Sequence, residues 1–159
     1  MAEINSLMFN DLEVEEEFRW ILSQRFAEND VIELFDKEIN FIPMDYDSNS
    51  DIDLPAVDLF VFQSKSLYPD DVQLQRETPF TVEIDVYTSG KEKIKLNRQL
   101  CNIIIQILQS NGPLQNYYCR GLILEENSEV GTLLDSAYRR IIRMSGLCNN
   151  EQKLIKRGD

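Results

Sequence analysis

Histidine is missing altogether from this chain of 159 residues. With it go the commonest general base, the Ser-His and Cys-His nucleophile pairs and the usual zinc ligand. Cysteine is scarce: Cys101, Cys119 and Cys148 stand far apart, with no CxxC pair among them. That spacing argues against a structural zinc site or a disulfide framework, and for free, mostly buried thiols. Neither GxGxxG nor GxxxxGK[ST] occurs, so no nucleotide-phosphate cradle is predicted, and no cofactor is expected. No apolar run approaches the roughly 18 residues that span a bilayer. The first residues, MAEINSLMFNDLEVEEE, lack the basic and apolar regions of a secretory signal, so a cytosolic chain is expected.

What is abundant is acid. The formal charge is -12, and it is unevenly placed. Up to Thr78 there are 19 acidic and 5 basic residues, about -14, and from Pro79 onward 9 acidic and 11 basic, about +2. Phosphate is repelled by such a surface, which disfavours wrapping of nucleic acid but suits a channel through which DNA slides without sticking. Acidity that merely keeps the protein soluble is the plainer reading. The length suits one domain with a single core: a helical segment over 10–38, an acidic loop over 43–55, a sheet and helix core over 56–148, and a polar tail over 149–159.

The core is most legible between Pro79 and Ser110. Val82, Ile84 and Val86 alternate with Thr81, Glu83 and Asp85, the period-two pattern of a strand with one dry face. After the break at Ser89 and Gly90, Ile94, Leu100, Cys101, Ile104, Ile107 and Leu108 recur at helical spacing. Upstream, residues 10–26 read as a helix with an apolar stripe of Leu12, Phe18, Ile21, Leu22 and Phe26. Its Glu13, Glu15, Glu16 and Glu17 form a solvated acidic start that suits the helix dipole. A second short helix over 30–38 places Val31, Leu34 and Phe35 on one side.

Residues 56–63 read as a strand with Val57, Leu59 and Val61 on one face and Asp58, Phe60 and Phe62 on the other, where the phenylalanine pair either packs or meets a partner. Further strands are predicted over 117–124 and 136–147, joined by a polar link over 125–135. On the last, Tyr138, Ile142 and Met144 share one face. Arg139 and Arg143 share the other, where they can pair with Glu83 and Asp85. The expected fold class is α+β: an about four-stranded, mostly antiparallel sheet against a central amphipathic helix and an N-terminal helix.

Three stretches carry candidate function. Asp45, Asp47, Asn49, Asp51 and Asp53 fall at the alternate positions that ligate calcium in an EF-hand-type loop. Ser50 in place of the turn glycine and Ala56 in place of the closing glutamate break that pattern, so a solvated acidic loop is the plainer reading. The connection from Ser64 to Pro79 is longer than two neighbouring strands need, and its Leu67, Tyr68, Val72, Leu74 and Arg76, with Phe60 and Phe62, are interface candidates. Asp58, Glu83 and Asp85 resemble the acidic part of a magnesium-dependent nuclease site. The lysine such sites place two residues after the second acid is replaced by Tyr87, and strand alternation already accounts for the acids.

The order helix, acidic loop, strand, long arm, alternating strand TVEIDVYT (Thr81 to Thr88), Ser89-Gly90-Lys91 turn, helix to Leu108 and closing Tyr138-Arg139-Arg140 strand resembles the tail terminator, or tail completion, proteins of long-tailed bacteriophages. The resemblance covers about Asn10 to Cys148. It implies a non-enzymatic subunit of a ring, usually hexameric, that stops tail-tube polymerisation and offers a surface to the head or neck. The partners it implies are a tail tube protein and a neck or head completion protein, with DNA passing the lumen without specific binding. The place implied is the virion tail or neck, and the host cytoplasm during assembly. Another neck or head-tail connector protein and a monomeric acidic adaptor fit the same sequence, and the acidic insert from Asp45 to Asp53 departs from the pattern.

Overall fold

The structure is a computed structural model and describes residues 11–43, 52–64, 77–110, 119–132 and 137–149. In chain order they form α1 (Asp11–Phe26), α2 (Asn29–Phe35), β1 (Asn40–Phe41), β2 (Ala56–Gln63), β3 (Glu77–Thr88), α3 (Lys93–Ser110), β4 (Cys119–Thr132) and β5 (Tyr138–Asn149). The content is mixed α/β, with three helices and a five-stranded mixed sheet among the described residues. The strand order is β1-β2-β3-β5-β4. β1 runs parallel to β2, and every other neighbouring pair is antiparallel.

Alternation decides which face is dry. Val57, Leu59 and Val61 lie opposite Val86, Ile84 and Val82, which in turn lie opposite Arg140, Ile142 and Met144. This side meets the helices: Phe18 of α1 packs on Phe80 with ring centroids 6.0 Å apart, and Leu100, Ile104 and Leu108 of α3 join the same core. Asn97 is a polar residue set within it. It is fully buried, and its Nδ2 donates to the carbonyls of Val86 at 2.8 Å and Tyr138 at 3.1 Å. Its Oδ1 accepts from the Cys101 thiol at 3.4 Å, so both amide hydrogens tie α3 to β3 and β5 and one lone pair of the oxygen is used within α3.

Several expectations need correction. β3 starts at Glu77, four residues earlier than the alternation predicts, because Pro79 sits where its missing N–H costs only the last rung toward β2. The Pro79 carbonyl still accepts from the Ser64 amide at 2.9 Å. The stretch from Glu125 to Thr132 is strand and not a link. Three register shifts let β4 carry polar residues along an edge. β1, two residues long, has no periodicity to read. Leu12, Leu34 and Ile94 are exposed, while Val14 takes a place in the core.

The acidic start of α1 is not wholly solvated either. Beyond Phe41 the edge of β2 has no strand beside it among the described residues, and α1 takes over. Arg19 donates to the carbonyls of Ile42 and Leu59, both at 3.1 Å, and buried Glu15 accepts from the Val61 amide at 3.0 Å. Two side chains one turn apart thus occupy edge groups that would otherwise template another chain. Burial pushes the Glu15 carboxyl above its usual range, while the Val61 amide and Arg19 pull it back. Replacing Arg19 by methionine keeps the stem but removes two hydrogen bonds. It is expected to lower stability by about 1–2 kcal/mol in urea denaturation, with more light scattering on heating.

Candidate functional site

The sheet face opposite the helices carries most of the candidate chemistry. Across it run rows set by the register: Asp58, Asp85, Ile141 and Ser128; then Phe60, Glu83, Arg143 and Glu126; then Phe62, Thr81, Ser145 and Ile123. Apolar residues stand at both ends of the last row and charge occupies the middle of the face.

The expected pairing of arginine with acid is present. Arg139 Nη2 lies 3.0 Å from Asp85 Oδ2, and Arg143 bridges three strands, with Nε 2.8 Å from Glu83 Oε1 and Nη1 2.8 Å from Glu126 Oε1. Arg139 also lies over the Tyr87 ring, 5.7 Å from its centroid. Asp58 and Asp85 are directly opposite, a like-charge pair that Arg19 partly offsets from 3.9 Å. Burial is the leading cause that raises both carboxyls, Asp85 to about 6, and the neighbouring arginines oppose it.

The structure therefore brings Asp58, Glu83 and Asp85 onto one face, as a metal-dependent nuclease would need, and gives each an arginine. A guanidinium already stands where a cation would be held. Among the described residues no group of three or more His, Cys, Asp or Glu is placed to hold a metal ion. Burial pushes the Cys101 thiol up to about 11, which keeps it protonated and inert at neutral pH.

The chain matches no protein-family model and no curated protein. What the site can do rests on its own surfaces. Phe60 and Phe62 are 43% and 44% exposed on the face of β2 away from the helices, so the pair is not core. They flank the hairpin from whose two strands the segment after Ser64 leaves and returns. Leu67, Tyr68, Val72, Leu74 and Arg76 lie outside the described residues, as do Asp45, Asp47, Asn49 and Asp51. Asp53 is exposed, and its backbone carbonyl accepts from Asn40 Nδ2 at 3.1 Å.

Sequence reasoning missed Glu15, Arg19 and Asn97. The first two carry a faint signal, an acid and a base at (i, i+4) beside an apolar stripe, which surface helices show equally often. Asn97 lies on the apolar side of α3, between Ile94 and Leu100, and a polar residue there was the available sign. Among the described residues no helix is long and apolar enough to cross a membrane.

Proposed function

We propose that this chain is a structural, non-enzymatic α+β subunit of a long-tailed phage. It forms a ring, hexameric by the resemblance, that ends the tail tube and joins it to the head or neck. The observation that carries this reading is the half-exposed Phe60 and Phe62 pair on the sheet face away from the helices. Large apolar side chains left half-exposed on a sheet fit a protein whose work is done by interfaces. The arginine-occupied carboxylates favour structure over metal chemistry. The tail tube protein and a neck or head completion protein are the partners, and the acidic half of the chain suits a lumen to which DNA does not adhere.

A second reading rests on the charge asymmetry: a monomeric acidic adaptor that binds a basic partner through its first half. Native mass spectrometry of the full chain separates the two. A closed oligomer is expected, whose addition to polymerising tube protein caps one end and halts elongation. A strictly monomeric chain that leaves the tubes growing would reject the ring and favour the adaptor.

A further inference from the structure

Cations outnumber acid at the start of α3. Glu92 caps the helix, its carbonyl accepting from the Leu96 amide at 2.9 Å, but the first turn holds no acid and Lys91, Lys93, Lys95 and Arg98 crowd around it. These four cations make no ion pair among the described residues, whereas Arg19, Arg25, Arg139 and Arg143 all do. They line an open groove of about 660 Å³, four cations to the single acid Glu92, with Ile94, which is 48% exposed. A basic rim around an exposed isoleucine, on a chain of charge -12, asks for an acidic partner with an apolar centre.

α1 presents such a surface. Leu12, Glu16 and Trp20 follow at four-residue steps, so they share one face, and each is exposed, Trp20 by 59%. Glu16 supplies acid within that face and Glu13 at its edge. Neither surface covers the other within the chain, since residues 91–102 alone line the α3 groove.

We infer that the basic groove at the start of α3 docks the acidic, tryptophan-bearing face of α1 of a second copy of this chain. Acid facing acid repels, so the contact joins two different surfaces and is head-to-tail. Repetition of such a contact closes a ring when the rotation permits. The inference rests on the ring reading above and names its subunit contact.

Trp20 is the only tryptophan in the chain, so its fluorescence reports this contact directly. Emission and sedimentation velocity are to be followed together from micromolar to sub-millimolar concentration, for the full chain and for Lys95→Glu/Arg98→Glu. Glutamate at 95 suits the helix dipole, and Lys91→Glu, ahead of the helix, serves as a second variant; matched thermal transitions confirm that all are folded.

The expected result is a blue shift of Trp20 as the wild type assembles, weakened by added salt. In both variants it should move to at least about tenfold higher concentration. Assembly with Trp20 still emitting as an exposed indole, or a blue shift that neither variant moves, would overturn this contact and leave the ring standing. A wild type that stays monomeric throughout would overturn both.

Discussion

Replacing Asn97 by alanine is expected to destabilise the protein by about 2–4 kcal/mol, the largest effect of any single substitution discussed for this chain. The amide is fully buried and donates to Val86 and Tyr138, the carbonyls at the end of β3 and the start of β5. Alanine leaves both acceptors without that donor in a place water does not reach, and leaves a small void besides. Equilibrium urea denaturation measures the loss, and a change below about 1 kcal/mol would show that the two carbonyls find other partners. Asn102→Ala supplies the control, because that side chain is exposed on the same helix and its removal should stay within about 0.5 kcal/mol. Leucine at 97 should not rescue the loss, since apolar filling does not satisfy the carbonyls.

The second large effect is one of pH. The Asp85 carboxyl is raised from 3.8 to about 6 by burial, which outweighs the pull of Arg139 that Glu83 and Asp58 only partly cancel. Between these values the folded chain holds a proton that the unfolded chain has released. The stability this contributes is therefore fully present below the unfolded value and is lost as pH rises through about 6. The amplitude is roughly 2–3 kcal/mol. Asparagine mimics the protonated acid in shape and cannot titrate. The stability difference between wild type and Asp85→Asn should thus shift in favour of the variant between about pH 4 and pH 7.5, by most of that amount. Parallel pH profiles for the two proteins would place the Asp85 carboxyl in the ordinary range and refute the argument. The comparison between variants is needed because Glu15 and Asp58 are also raised, while Asp30 and Glu126 are lowered by Arg25 and by Ser128 with Arg143.

What the sequence made legible was whatever has a period. Val82, Ile84 and Val86 alternate because one face of β3 is dry. Leu100, Ile104 and Leu108 repeat because one side of α3 is. Arg139 and Arg143 could be set against Asp85 and Glu83 because cross-strand neighbours on a wet face follow from alternation alone. Elements held by single contacts were not legible. β1 consists of Asn40 and Phe41 and has no period. β4 from Glu125 to Thr132 hides behind three shifts of register, each of which turns the alternation over. Glu15 read as solvent-facing because a run of four acids beside a helix start is ordinarily so, and only the fold places the open edge of β2 beside it. For the candidate site, the exposure of Phe60 and Phe62 was foreseeable as a choice between packing and partner. The sequence could not decide it, because the same two residues would alternate identically under a covering layer.

One consequence of the way α1 guards β2 lies in the order of events. The Val61 amide is held by a helix carboxylate and not by a neighbouring strand, so the proton on that nitrogen belongs, in hydrogen-exchange terms, to the helix. For the Val61 proton and the Leu59 carbonyl to open to water, α1 must part from the sheet, and Phe18, Ile21 and Leu22 leave the core with it. The edge of β2 is thus guarded by the same helix that fills the core, and baring the one bares the other.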